Sequence, residues 1–138
     1  MYIVAVEVRQ SSIDGKGVFA LEDIKKNSIV WQYTEGHDKK MTNEQFESLD
    51  IDTKTELLRV AYLSPTSGMW VMPPIGDPAC YTNHNPGAYN TSVIIDKKVS
   101  DEPLFVANRD VAKGEEVTNN YLEFDDNSSV DKFEWLKP

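Results

Sequence analysis

At 138 residues the chain has room for one domain that buries roughly 68% of its unfolded surface, and too little for two. Apolar content of 40% with 10% aromatics fits a globular protein rather than a disordered one. A net charge of -9 and a pI of about 4.6 argue against direct binding to nucleic-acid phosphate, which needs a basic face. No apolar run reaches the ~20 residues of a membrane helix, and Met1 to Glu7 lacks the basic start of a signal peptide. The single Cys80 excludes an internal disulfide and a Cys-rich zinc cluster. A cytoplasmic protein is therefore expected, with no membrane and no direct nucleic-acid partner. The acidic surface suits a basic, lysine-bearing protein or peptide; the same charge also serves solubility alone.

In chain order, Tyr2, Val4, Val6 and Val8 alternate with Ile3, Ala5, Glu7 and Arg9, which predicts a half-buried strand. Ser11 to Gly17 breaks it. Val18-Phe19-Ala20 resumes a strand, Asp23 to Asn27 is a polar turn, and Ser28 to Tyr33 is the next strand. Thr42-x-x-Gln45 and Thr53-x-x-Glu56 are both capping-box patterns, so two short helices are predicted over about 42–49 and 53–62. Ser64 to Gly68 ends them, Met69 to Met72 reads as a buried strand, and Pro73 to Pro78 is a loop. Strands over Thr91–Ile95 and Leu104–Ala107 follow, then a polar tail from Asp125 that carries Phe133 and Trp135. Ala20-x-x-Asp23-Ile24-x-Lys26-x-x-x-Val30 also matches Ala107-x-x-Asp110-Val111-x-Lys113-x-x-x-Val117 in register. Two copies of one strand-turn-strand unit imply a pseudo-symmetric, mostly β core; a match this short also arises by chance.

Three stretches carry the candidate chemistry. Gly15-Lys16-Gly17-Val18-Phe19-Ala20 places two glycines where the main chain can take positive φ and approach a ligand. A tight turn between strands uses the same residues. No helix and phosphate-binding spacing follow, so a dinucleotide fold is excluded. Tyr81-Thr82-Asn83-His84-Asn85 contains an Asn-His pair, and Ala107 to Tyr121 reads as strand end, Gly turn, strand and a Tyr just past it. The acid pairs Glu115-Glu116 and Asp125-Asp126 read as a solvated charged face. His37 has no neighbouring His or Cys at metal-ligand spacing.

Together, in this order, the three stretches resemble the SET domain, the S-adenosylmethionine-dependent protein lysine methyltransferase family. Gly15 to Ala20 matches its G-x-G-x-F-A element, Asn83-His84 its N-H pair, and Ala107 to Tyr121 its A-x-R-D-[IV]-x-x-G-E-E-[LV]-T-x-x-Y run. The resemblance covers about Val4 to Tyr121, and the absence of flanking modules is similar to the compact, stand-alone SET proteins of viruses and bacteria. It implies a mostly β, β-clip-like fold of short strands with a helical insert at about 40–68, a tail at about 125–138, and a knot-like C-terminal segment. The whole of 1–138 is then a single SET domain, placed in the cytoplasm, or in the host-cell cytoplasm for a viral protein. The implied activity is transfer of a methyl group from S-adenosylmethionine to a lysine amine of a protein substrate.

The resemblance also implies roles. Tyr121 stands at the methyl-transfer centre as the catalytic residue. Gly15, Lys16, Gly17, Val18, Asn83, His84, Tyr121 and Trp135 fall at cofactor-binding positions, and Tyr89, Asn119 and Phe133 at the substrate channel. No metal is implied. The sequence departs from the family after His84, where Asn85 to Asn90 replaces S-C-x-P-N with one residue more and Asn90 stands for the last Asn. It departs again at Asn119, where relatives often carry an aromatic that helps set how many methyls are transferred. Phe133 and Trp135 are open to two roles: stacking on adenine or walling the channel, or anchoring the C terminus. Two other readings stay open, a SET-like binding module with weak or no catalysis and an unrelated β-clip binding domain.

Overall fold

The computed structural model describes residues 1–120. Ten short strands and two helices follow one another: β1 (Val6–Gln10), β2 (Lys16–Ala20), β3 (Ile29–Trp31), β4 (Lys39–Met41), α1 (Asn43–Glu47), α2 (Ile51–Leu58), β5 (Tyr62–Leu63), β6 (Trp70–Met72), β7 (Asn83–His84), β8 (Thr91–Ile94), β9 (Leu104–Ala107) and β10 (Glu116–Asn119). They form three small sheets, in the orders β1-β2-β10-β7, β3-β9-β8 and β4-β6-β5. Both helices lie inside the expected insert. Among the described residues no helix is long and apolar enough to cross a membrane.

The paired strand-turn-strand units build the first core. Ala20, Ile24 and Val30 of one copy pack with Ala107, Val111 and Val117 of the other, around Val18. Each matched apolar position therefore faces the same cluster, and this cluster carries β2 and β10. A second cluster of Trp31, Tyr62, Val71 and Phe105 lies against the β3-β9-β8 sheet. A third holds the insert: Phe46 stacks on Trp70 with ring centroids 4.1 Å apart, and Leu57 and Leu58 of α2 pack on the same group. Such a ring pair adds about 0.5–1.5 kcal/mol beyond its buried area.

Three local expectations are corrected. The first strand begins at Val6 rather than Tyr2, because Tyr2 bridges Trp31 and its hydroxyl meets Thr82 Oγ1 at 2.6 Å. Thr42 and Gln45 do form a capping box on α1, but the Thr53-Glu56 pattern caps nothing. Asp50 caps α2 instead, accepting from the Thr53 amide at 2.8 Å and the Thr53 hydroxyl at 2.9 Å. A carboxylate two oxygens wide satisfies an end amide and the hydroxyl at once. That helix also stops at Leu58, and Tyr62 is already in a strand. His37 is structural, with Nε2 2.6 Å from Asp77 Oδ2.

Candidate functional site

The two glycines of the first motif do different work. Gly15 turns the chain between β1 and β2 with φ at +45°, while Gly17 is extended within β2. A Cβ on Gly17 would meet the Glu116 side chain, whose carboxyl carbon lies 2.7 Å away, and Ser11 Cβ at 3.0 Å. Of the two uses expected of these glycines, Gly15 shows positive φ and Gly17 close approach, here to the Glu116 and Ser11 side chains rather than to a ligand. Lys16 between them is exposed, with Nζ 5.8 Å from the centroid of the Tyr81 ring.

The Asn-His pair is held on the other side by a parallel pairing of β7 with β10, Asn83 opposite Thr118 and His84 opposite Asn119. Asn83 Nδ2 lies within hydrogen-bonding distance of the Asp14 carbonyl (3.2 Å), the Lys16 carbonyl (3.1 Å) and Glu116 Oε2 (2.7 Å). This amide ties the glycine turn to β7. His84 is half-buried, and burial pushes its imidazole below the ordinary pKa of 6.5, toward the neutral form. Beyond it the lengthened loop closes on β10 through Asn90, which is 2% exposed. Its Nδ2 donates to the Glu116 carbonyl at 2.8 Å, and its Oδ1 accepts from the Thr118 amide at 2.9 Å. The extra residue is absorbed without loosening the strand pair.

Two recesses adjoin this arrangement. An open cleft of about 1110 Å³ gathers Gly15, Lys16, Asn83 and His84, with Tyr81 and Cys80 on its wall. A smaller cavity of about 60 Å³ is walled by the aromatic rings of Tyr2, Trp31, Tyr62 and Phe105 and by Asn119. Arg59, Val60, Pro73 and Thr82 line both, so the two recesses share a wall. Both Trp31 and Asn119 line the smaller cavity, and among the described residues their Nε1 and Oδ1 atoms are buried without a hydrogen-bond partner. Buried polar atoms left without a partner are costly to the fold, and Arg59, Thr82 and Thr91 add further polar groups to the same lining.

Of the residues named from sequence, Gly15, Lys16, Asn83 and His84 meet in the cleft, and Asn119 lines the cavity. Val18 is fully buried in the first core, so only its backbone is near the motif. Tyr89 lines neither recess; its carbonyl accepts from Asn108 Nδ2 at 3.1 Å. Tyr121, Phe133 and Trp135 lie outside the described residues. The aromatic walls of the cavity were not legible, because Trp31, Tyr62 and Phe105 sit in short apolar strands and read only as core. Glu115 stays on the charged surface, its Oε2 pairing with the partly exposed Arg109 at 2.8 Å, whereas Glu116 departs from the expected solvated face and turns inward to Ser11 and Asn83. Among the described residues no group of three or more His, Cys, Asp and Glu is placed to hold a metal ion.

Comparison with known proteins agrees with this geometry. A candidate histone methyltransferase of Plasmodium falciparum superposes with a TM-score of 0.56 at 24% identity, over 86% of this chain and 93% of that one. Chaetomium thermophilum Polycomb Repressive Complex 2 gives 0.69 at 26% identity over 93% of this chain, and an active polycomb repressive complex 2 in the basal state gives 0.63 at 28% over 86%. The chain spans only 17% and 15% of those two longer chains. No curated protein sequence matches. The model of the SET domain family matches residues 15–122, which takes in the glycine turn, the Asn-His pair and β10 in one continuous stretch. The chain belongs to the SET domain family.

Proposed function

We propose that this protein is an S-adenosylmethionine-dependent protein-lysine N-methyltransferase. The observation that carries the reading is that two recesses share a wall, one built from the family's cofactor motifs and one small and lined by aromatic rings. S-adenosylmethionine supplies a methyl group on a sulfonium, and the cleft has the volume and donor set to hold it. Lys16 offers a cation to a carboxylate, and the backbone around Gly15 is open to close approach. The neutral His84 imidazole adds no positive charge beside a sulfonium.

The cavity suits the other reactant. A lysine side chain is an alkyl stem with an amine tip. Rings from Trp31, Tyr62 and Phe105 cover the stem and keep water out, while Asn119 Oδ1 accepts an amine N–H. In-line transfer to a neutral amine needs no covalent enzyme intermediate, so these residues act by proximity and orientation. Tyr121, in the sequence directly after Asn120, is assigned the hydroxyl that polarises the reacting centre. The substrate is a basic protein or peptide, drawn to the acidic surface, and the reaction is placed in the cytoplasm.

Calorimetry on chelator-treated protein tests the cofactor. Folded protein that takes up no S-adenosylmethionine sinks the assignment. Labelled cofactor with lysine-rich proteins tests the transfer, and uptake with no transfer to any of them favours a binding module that has lost catalysis.

A further inference from the structure

We infer that Glu116 is a positioning residue that presets the cofactor cleft by clamping the glycine turn to Asn83. Glu116 does not line the cleft. Its carboxylate sits where three separate segments converge. Oε1 accepts from the Ser11 hydroxyl at 2.7 Å at the exit of β1, and Oε2 accepts from Asn83 Nδ2 at 2.7 Å at the start of β7. Gly17 lies directly against the same group, with no room for a Cβ. Ser11 in turn receives the Ile13 amide at 2.9 Å, so the clamp reaches along the whole turn.

The chemistry requires a carboxylate or something that imitates it. Both neighbours donate to it here, and one side chain must bond to both while spanning β1, β2 and β7 from a position on β10. The backbone of Glu116 is itself fixed, paired with Phe19 and receiving Asn90 Nδ2 at 2.8 Å. Gly15 and Lys16 stand on one wall of the cleft and Asn83 on another. Fixing that separation before the ligand arrives removes an ordering cost that binding would otherwise meet. This inference rests on the reading of the cleft as a cofactor site.

A double-mutant cycle tests it, with S-adenosylmethionine calorimetry and with hydrogen exchange of amides 11–17 in the ligand-free proteins. Glu116→Ala is expected to weaken binding about 10-fold, equivalent to ~1.4 kcal/mol, and to speed exchange in the turn. Glu116→Gln should restore both, since its Oε1 accepts from Asn83 and its Nε2 donates to the Ser11 hydroxyl. Gly17→Ala should reproduce Glu116→Ala, because the added methyl displaces the carboxylate, and the double variant should be no worse than either single. Wild-type affinity in folded Glu116→Ala overturns the inference, as do additive losses in the double variant or a lowered melting temperature with unchanged turn exchange. A wild-type chain that binds no S-adenosylmethionine defeats the cofactor reading instead, and exchange in the turn still decides whether Glu116 is the clamp.

Discussion

Ile24 and Val111 exchange both of their backbone hydrogen bonds, each amide donating to the other's carbonyl at 2.8 Å. The same exchange recurs outward along the matched segments. The Lys26 amide donates to Asp110 Oδ1 at 2.9 Å and the Lys113 amide to Asp23 Oδ1 at 2.8 Å. The Asn27 amide donates to the Ala107 carbonyl and the Gly114 amide to the Ala20 carbonyl, both at 2.8 Å. Equivalent residues thus make equivalent bonds across a local pseudo-two-fold axis. The short sequence repeat is therefore structural, and its two copies fix β2 against β10 beneath the site.

The axis also pairs Asn27 with Gly114, at φ of 73° and 89°. Left-handed backbone costs an ordinary L-residue about 1–2 kcal/mol, and Asn tolerates it better than most. A Cβ at Gly114 would meet no atom within 4 Å, so any penalty there is conformational. Gly114→Ala should lose about 1 kcal/mol or more in denaturant unfolding, and Gly114→Asn distinctly less. Equal losses would contradict this account.

Legibility followed the range of the interactions. Strands β8, β9 and β6 and the Thr42 capping box were readable because short apolar runs and local side-chain caps are properties of a few consecutive residues. Thr53 was misread because Asp50, three residues upstream, starts the helix first and takes up both the Thr53 amide and the hydroxyl that would have capped, and sequence spacing ranks neither cap above the other. At the site, Gly15, Lys16, Asn83 and His84 stood out as motifs. Trp31, Tyr62 and Phe105 did not, since nothing local distinguishes an aromatic lining a cavity from one filling a core. Glu116 was taken as a surface charge because its partners Ser11 and Asn83 are distant in sequence and are brought together only by the sheet.

His84 should make the fold acid-sensitive. Burial depresses its folded-state pKa below 6.5, while the unfolded chain protonates near that value. In the window below 6.5 the unfolded state then binds more protons, and stability falls as pH falls. Wild-type unfolding free energy should drop through this window more steeply than that of His84→Gln. Parallel pH profiles for the two proteins would count against a buried neutral imidazole.

Asn119 should set how much room the amine has. Asn119→Phe places a ring against a cavity of only about 60 Å³, which restricts rotation of an already methylated amine. Mass spectrometry of the product peptide should then show a shift toward the lower methyl states. An unchanged distribution would separate this cavity from the reacting amine.

With a net charge of -9, the protein should attract a Lys/Arg-rich peptide over a Debye length of about 8 Å at physiological ionic strength. kcat/KM for such a peptide should fall from low to moderate salt, mainly through slower association. A flat profile would place the acidic residues away from the substrate groove.

Tyr121 gives the sharpest test. Its position after Thr118-Asn119-Asn120 follows a polar strand end, where a residue serving only as core would more naturally be Leu or Val. A half-buried packing role with the hydroxyl in water is the rival explanation, and Tyr121→Phe separates the two by keeping the ring and removing only the oxygen. If the hydroxyl orients the methyl group and the amine, turnover should drop by about 10²-fold or more, the scale of one preorganised polar contact at a reacting centre. Stability should change by only about 1 kcal/mol, the worth of a single hydrogen bond. Cofactor affinity should be retained, since Lys16, Asn83 and the Glu116 clamp are untouched. A Phe variant that methylates lysine at the wild-type rate would remove Tyr121 from the catalytic centre.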